Sequence, residues 1–364
     1  MIRAIVWGTK DLASSFVRLR VYHGGEYDVI CFADNDCRRW GNQFFGKKII
    51  SPEEINEYDY EMIVICAQRA STEIIRKQLT EQLGVEEYKI ITFWDLEAKL
   101  TRKIIEKYKQ TNDQEIRQII SYYEKNGFNI YGDYRLTVPE DYKVEYDEDG
   151  WPFVWFEHKK MFFPKNFNFW QDRNGKFIRS ILREQEKNSP HLYIRDNEEI
   201  PEGSVIVDAG VCEGNFALRY VERAKKVYLF EADKRWIEPL KKTFSEYGDK
   251  VVLIDKYLQG NDSSYSITLD SAIKEEKIDF LKMDIEGAEV EALLGGKNLL
   301  MRSKARCAIC SYHRQNDEKY IKYLLSEYGY GTDVSKGYMF FIGDDKIADS
   351  LDFRRGIVYG WKID

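Results

Sequence analysis

Short apolar runs alternate with amphipathic stretches over the first hundred residues. The runs at 4–7, 29–33, 62–66 and 89–92 read as buried strands, and helical spacing of apolar residues marks 11–22 and 71–83. Strands alternating with helices predict a parallel sheet with crossover helices. From 99 to 126 Lys, Glu and Gln are dense. Ile104, Ile105 and Tyr108, then Ile116, Ile119, Ile120 and Tyr123, still keep helical spacing, so one or two helices leave that first sheet. The alternation resumes at Ser204. Strands are expected at 204–209, 227–230, 251–254, 278–283 and 306–311, with helices near 214–223, 234–247, 268–275, 287–301 and 316–328. The stretches 337–342 and 356–361 read as β-structure closing this second sheet.

Between the two alternating regions the composition changes. Residues 128–202 hold five of the seven prolines, and 11 of the 29 residues from Tyr142 to Trp170 are aromatic. The alternation over 151–156 suggests a β-ribbon, and the rings could pack between domains or, through Tyr193, Phe177 and Arg179, line a pocket. A chain of 364 residues suits about two domains with connecting material. The division read here is a Rossmann-like domain at 1–98, a helical and aromatic connector at 99–202 covering the active site, and a second α/β domain at 203–364.

Composition narrows the function. No apolar run approaches the roughly 18 residues that suggest a membrane span, and residues 1–6 read as a strand entering a turn rather than a signal peptide. Six cysteines are too few for a disulfide scaffold, and four sit in apolar runs, which suits a reducing compartment. With 55 basic against 62 acidic residues and no basic block, nucleic acid is not an expected partner. The expectation is a cytoplasmic enzyme.

The most specific local signal is Val205-Ile-Val-Asp208-Ala-Gly210-Val-Cys-Glu213-Gly214-Asn215-Phe216: a buried strand ending in Asp-x-Gly-x-x-x-Gly and opening a helix. Glycines at 210 and 214 would let the backbone turn and approach a ligand without a Cβ in the way. The next predicted strand ends in Glu231, where doubly wound folds accept hydrogen bonds from ribose hydroxyls. A dinucleotide would want bare backbone at the helix N-terminus, and Glu213 would repel its pyrophosphate. A sulfonium cofactor such as S-adenosylmethionine fits the loop better, and a purely structural turn is the plain alternative.

Four further elements accompany the loop: Thr268-Leu269-Asp270, the run from Asp279 through Asp284-Ile285-Glu286-Gly287-Ala288-Glu289, Ile309-Cys310-Ser311-Tyr312-His313-Arg314, and Glu184-Gln185 followed by Ser189-Pro190-His191. Together these make residues 177–343 resemble the FkbM-type S-adenosylmethionine-dependent methyltransferases. The resemblance implies a class I seven-stranded sheet, a bound S-adenosylmethionine and O-methylation of a hydroxyl, often on a sugar. In that strand order the first, fourth and fifth strands are neighbours, so Asp208, Gly210, Asp284, Glu286, Tyr312 and His313 converge on one rim. Asp208, Gly210, Glu213, Gly214, Asn215, Glu231, Ala232 and Asp284 are expected to bind the cofactor.

The catalytic candidates are His313 as base, Glu286 orienting it or stabilising its charge, Asp284 toward cofactor or acceptor, and His191 as a lid contact or a satisfied turn residue. Asp284 with Glu286 could instead hold Mg²⁺ or Mn²⁺, but no metal is predicted, because no further carboxylate is clearly placed; Glu289 and Glu291 read as a solvated helix face. Cys307 and Cys310 read as buried thiols on opposite faces of a strand. In the first domain, Trp7-Gly8-Thr9 and Asp34 keep only one glycine of the dinucleotide fingerprint. That domain resembles Rossmann-like modules fused to sugar-modifying transferases and reads as a scaffold, dimerisation or substrate-capturing unit. The expected partner is a carbohydrate acceptor in microbial polysaccharide or glycoconjugate biosynthesis. The alternative is a nucleotide-sugar-binding scaffold whose second domain has no turnover, and an oxidoreductase is disfavoured by the missing glycines.

Overall fold

The computed structural model describes residues 1–134, 142–167, 176–195 and 198–363. The chain forms two compact units, Met1–Asp133 with Phe340–Asp352, and Tyr134–Met339 with Phe353–Asp364. The stretch read as a connector is shared between them: its helices up to Asn126 belong to the first unit, and its aromatic ribbon and the helix Lys176–Glu184 to the second.

In the first unit the strands are β1 (Ile2–Trp7), β2 (Tyr27–Ala33), β3 (Gln43–Phe44), β4 (Lys47–Ile50), β5 (Met62–Ile65) and β6 (Ile90–Thr92), in the order β3-β4-β2-β1-β5-β6. The β3–β4 hairpin is short and polar at its start, which hid it from the apolar pattern. Ala4–Trp7 are buried because parallel strands carry helices on both faces. Helix Phe93–Tyr108 starts with a capping box in which the Thr92 hydroxyl accepts from Asp95 N–H at 3.0 Å, while Asp95 accepts from Thr92 N–H at 2.9 Å. At the carboxyl edge the sheet's own groups occupy the turn. Thr9 bonds Asp34, Arg39 donates to Thr9 O at 2.9 Å, and Trp40 Nε1 donates to Asp34 O at 2.6 Å. Gly8 is needed there because a Cβ would lie 2.6 Å from Cys66 O.

The second unit opens with the antiparallel ribbon β7 (Glu145–Tyr146), β8 (Pro152–Phe156) and β9 (Lys159–Phe162). It packs on helix Lys234–Thr243: Phe162 N–H donates to Thr243 Oγ1 at 2.9 Å, and the rings of Phe163 and Phe167 lie 5.9 and 5.7 Å from Trp236. Phe153, Phe156, Phe162 and Phe163 are therefore core, while Tyr146 and Trp155 stay exposed. Phe169 and Trp170 lie outside the described residues, as do the side chains of Phe177 and Arg179.

The main strands are β10 (Val205–Ala209), β11 (Lys226–Phe230), β12 (Val251–Ile254), the small pair β13 (Tyr257–Leu258) and β14 (Ser266–Ile267), then β15 (Phe280–Met283), β16 (Arg306–Cys310), β17 (Tyr330–Val334) and β18 (Ile357–Lys362). Among the described residues they form a seven-stranded sheet, β12-β11-β10-β15-β16-β18-β17, parallel except for β18, which runs antiparallel to both neighbours. This is the expected class I order.

One strand is displaced from its expected place. The pattern put β-structure at 337–342, but the edge strand is β17, and within 337–342 the β-structure is a bridge from Met339 to Arg354. β17 is rich in polar residues and follows helix Asp317–Glu327 through Gly329, so it lacks an apolar signature. Phe340–Asp352 packs instead in the first unit, with Arg20 2.9 Å from Asp349 and Lys107 3.0 Å from Asp352.

Candidate functional site

The turn after β10 crosses the turn after β15 at very short range. Gly210 has φ +76°, and a Cβ there would lie 1.6 Å from Asp284 O. Gly214 has φ +87°, and its bare Cα faces Leu240 and Phe244, each 3.0 Å from where a Cβ would be. Both glycines are thus required by the packing of neighbouring chain as well.

Glu231, at the end of β11, ties two turns together. Its Oε2 accepts Cys212 N–H at 2.8 Å and its Oε1 accepts Asp233 N–H at 2.7 Å. The carboxylate is buried, with an acceptor lone pair still available on each oxygen. Beside it Glu213 is 4% exposed, and burial pushes its carboxyl up to about 7.

A buried cation lies beneath this loop. Lys282 is directly opposite Asp208 in the β10–β15 register, its Nζ 2.9 Å from Asp208 Oδ1, and it also donates to Gly210 O. Burial works against its charge, but Asp208 and Asp284 together hold the ammonium above its ordinary range. Asp208 is 0% exposed, so no ligand can touch it; it acts through Lys282. Lysine in an apolar strand, facing aspartate in another, was the signal that could have marked this pair.

Asp284, just past β15, is the hub of the floor. Tyr193 donates to its Oδ2 at 2.8 Å and Tyr312 to its Oδ1 at 3.3 Å. His191 Nε2 stands 3.5 Å from Oδ2, and His313 Nε2 stands 3.5 Å from Oδ1. Burial would raise this carboxyl, but the two imidazoles, Lys282 and the Tyr193 hydroxyl hold it well below the carboxylate range.

His313 is buried among three carboxylates: Glu289 Oε1 at 3.0 Å from Nδ1, and Glu286 Oε2 at 3.6 Å with Asp284 at 3.5 Å from Nε2. Burial opposes its charge, but Glu289 in first place overcomes this and lifts the imidazole to about 9. At neutral pH it already carries its proton, which does not suit the base role expected of it. Glu289 is 0% exposed, not on a solvated face. Its spacing from the preceding acids gave no sign of the inward turn, which the left-handed pair Glu286 (φ +57°) and Gly287 (φ +93°) produces. His191 is likewise no lid: it is buried, with Nε2 3.3 Å from Cys310 Sγ.

Several sequence elements prove to be supports. Gln185 donates to His191 O at 3.0 Å and accepts Tyr193 N–H at 3.1 Å, which sets both side chains against Asp284. Buried Arg354 donates to Tyr312 O at 2.9 Å and His313 O at 3.0 Å. Asp270 accepts Asn298 and Leu299 N–H at 3.1 and 2.6 Å, so Thr268-Leu269-Asp270 braces helices rather than meeting a ligand. Cys307 and Cys310 are buried thiols, as expected.

These pieces enclose a cavity of about 500 Å³ at the carboxyl ends of β10, β11 and β15. Gly210, Glu213, Asn215, Glu231, Ala232, Asp284 and Glu286 lie on its wall. Asp208, Gly214, His191 and His313 do not; the two histidines stand behind Asp284. Tyr193 and Tyr312 complete the floor, Trp236 and Leu258 give apolar wall, and carboxylates outnumber cations along the lining.

Two family models match the chain: C2185-like, N-terminal, over residues 1–91, and the methyltransferase FkbM domain over residues 265–331. The second match holds Asp284, Glu286, Glu289 and His313 but not the glycine loop. No curated protein matches. Among solved structures, the chain is similar to methyltransferase FkbM from Methylobacillus flagellatus KT, at 16% identity and TM-score 0.50, covering 99% of this chain and 90% of that one. At that identity the likeness is one of fold. Two others are an rRNA methylase from Streptococcus thermophilus (18% identity, 45% and 90% covered, TM-score 0.33) and SMU.1697c of Streptococcus mutans, a putative methyltransferase in complex with SAH (17%, 45% and 91%, TM-score 0.32).

Proposed function

We propose, from the premise that the second unit carries an FkbM-type methyltransferase domain, that it transfers a methyl group from S-adenosylmethionine to a sugar hydroxyl in microbial polysaccharide or glycoconjugate biosynthesis. One observation carries the reading: a single cavity joins a ribose-type acceptor, Glu231, to an ionised carboxylate, Asp284. Its volume falls within the roughly 300–1,000 Å³ of small-molecule sites. When bound, the donor supplies an electrophilic methyl group on a positive sulfur.

Glu231 has acceptor capacity for a ribose, and the apolar wall at Trp236 and Leu258 suits a purine. The acidic lining suits a cationic donor. Methyl transfer to oxygen is an in-line displacement, so the chain must mainly align the hydroxyl and take its proton. We assign that proton to Asp284. The attacking oxygen becomes strongly acidic as its new bond to carbon forms, so even a carboxylate held low can receive its proton late in the step. His313 and His191 then act as positioning residues that keep Asp284 ionised, and Glu286, with an 86% exposed side chain, faces the acceptor.

The test is incubation of the chain with labelled methyl donor and a panel of nucleotide-sugars and glycan fragments. Label on a sugar oxygen, lost in Asp284→Asn while S-adenosylhomocysteine still binds, is the expected result. Binding without transfer to any acceptor favours the scaffold alternative and overturns the enzyme.

A further inference from the structure

The feature that the methyl-transfer reading leaves unused is the depth of acid behind the cavity floor. Asp284, Glu289 and His313 each offer a ligand atom, all within 4.8 Å of one another. Two of the three are buried outright, and Asp284 opens onto the cavity. His313 Nδ1 stands 3.0 Å from Glu289 Oε1, and its Nε2 stands 3.5 Å from Asp284 and 3.6 Å from Glu286. An imidazole gives an ion one nitrogen, and one ligand atom from each of the three residues within 4.8 Å of the others is close to the roughly 4.4 Å that opposite ligands about 2.2 Å from a cation span.

A second observation is independent of that spacing. Glu289 Oε1 accepts Ile285 N–H at 2.9 Å, but Oε2 is buried with no hydrogen-bond partner among the described residues. An ionised oxygen left so in a protein interior is costly unless something positive comes to it. A proton on His313 leaves the three surrounding carboxylates in excess by two charges, and a divalent ion on a neutral imidazole leaves an excess of one.

We infer that Asp284, Glu289 and His313 form a binding site for a divalent cation, with its open positions toward the cavity floor and Glu286. Two carboxylates and one imidazole select an ion that takes oxygen and nitrogen together, of which Mn²⁺ is the convenient probe. The site stands on this geometry alone. It rests on the methyl-transfer reading only for its use, which is to hold the acceptor hydroxyl and lower its proton affinity. Glu289 is the further carboxylate that the sequence did not place.

The full chain, stripped with chelator and exchanged into chelator-free buffer, is titrated with Mn²⁺ and followed by the electron paramagnetic resonance of the free ion. One ion per chain is expected. Glu289→Gln and His313→Gln should each weaken binding by at least about tenfold, while Glu291→Gln, on the exposed side of the same helix, leaves it unchanged. Circular dichroism checks that each variant is folded, and Asp284→Asn replaces either one that is not. No Mn²⁺ bound to the wild-type chain, or equal binding by the folded variants, overturns the site. S-adenosylhomocysteine binding by the same sample separates the two failures. If it binds and Mn²⁺ does not, the cation site alone falls; if neither binds, the donor reading falls too.

Discussion

Asp208 and Lys282 face each other across two adjacent strands of the second unit, both side chains almost wholly buried and 2.9 Å apart. An ion pair at that depth is held less by its own attraction than by the cost of leaving either member alone. Lys282→Met should therefore destabilise the chain by about 3–5 kcal/mol, whereas the double variant Asp208→Asn, Lys282→Met should recover most of that loss. Urea unfolding of the three proteins checks this. A double variant as unstable as the single one would show that Lys282 works chiefly through its bond to Gly210 O.

Gly210 makes a sharper demand. The Cβ of an alanine there would lie 1.6 Å from Asp284 O, and the backbone is left-handed. The turn after β10 and the hub of the floor cannot both keep their places. Gly210→Ala should lower the melting temperature by many degrees and abolish S-adenosylhomocysteine binding in whatever folds. Gly214→Ala meets only side-chain atoms of Leu240 and Phe244 at 3.0 Å, so its loss should be smaller, on the order of 1–3 kcal/mol. Equal effects in calorimetric melts would count against this ordering.

Which parts of this arrangement could be read from the chain follows from where the signal lies. The strands β10, β11, β12, β15 and β16 are apolar runs bounded by turns, and fully buried parallel strands must be apolar. The glycine loop and Glu231 carry local chemistry, and both reach the cavity wall. Glu289, Lys282 and the edge strand β17 escaped because their roles depend on register and on contacts distant in sequence. Glu289 is followed by Glu291 on the same short helix, and nothing local distinguishes the buried acid from the exposed one. His313 was found by its place at the end of a strand, but its charge state is set by three carboxylates that only the fold brings together.

Glu231 links the cofactor loop to the next turn, and its loss should be felt first in binding. Alanine removes acceptors from both Cys212 and Asp233 N–H. Glutamine keeps one acceptor and turns an amide N–H₂ toward the other donor. Both variants should bind S-adenosylhomocysteine at least about tenfold more weakly, with a stability cost of roughly 1–3 kcal/mol. Isothermal titration calorimetry reads the first quantity. Unchanged affinity in Glu231→Ala would remove the ribose contact from the account.

Glu213 gives the fold a pH dependence with a definite sign. Its carboxyl titrates near 7 in the folded chain because it is buried, against about 4.5 when unfolded. Between those values the folded chain holds a proton that the unfolded chain has released. The stabilising contribution is full below about 4.5 and is lost as pH rises through 7, to a total of roughly 3 kcal/mol. Glu213→Gln has no such proton to lose, so its stability advantage over the wild-type chain should be small at pH 5 and large at pH 8 in urea unfolding. Binding should run the other way. A cationic donor on this wall favours the ionised carboxylate, so affinity for S-adenosylmethionine should rise between pH 6 and 8 in the wild-type chain and stay flat in Glu213→Gln. The same slope in both proteins would move the donor's positive charge away from Glu213 and to the other end of the cavity.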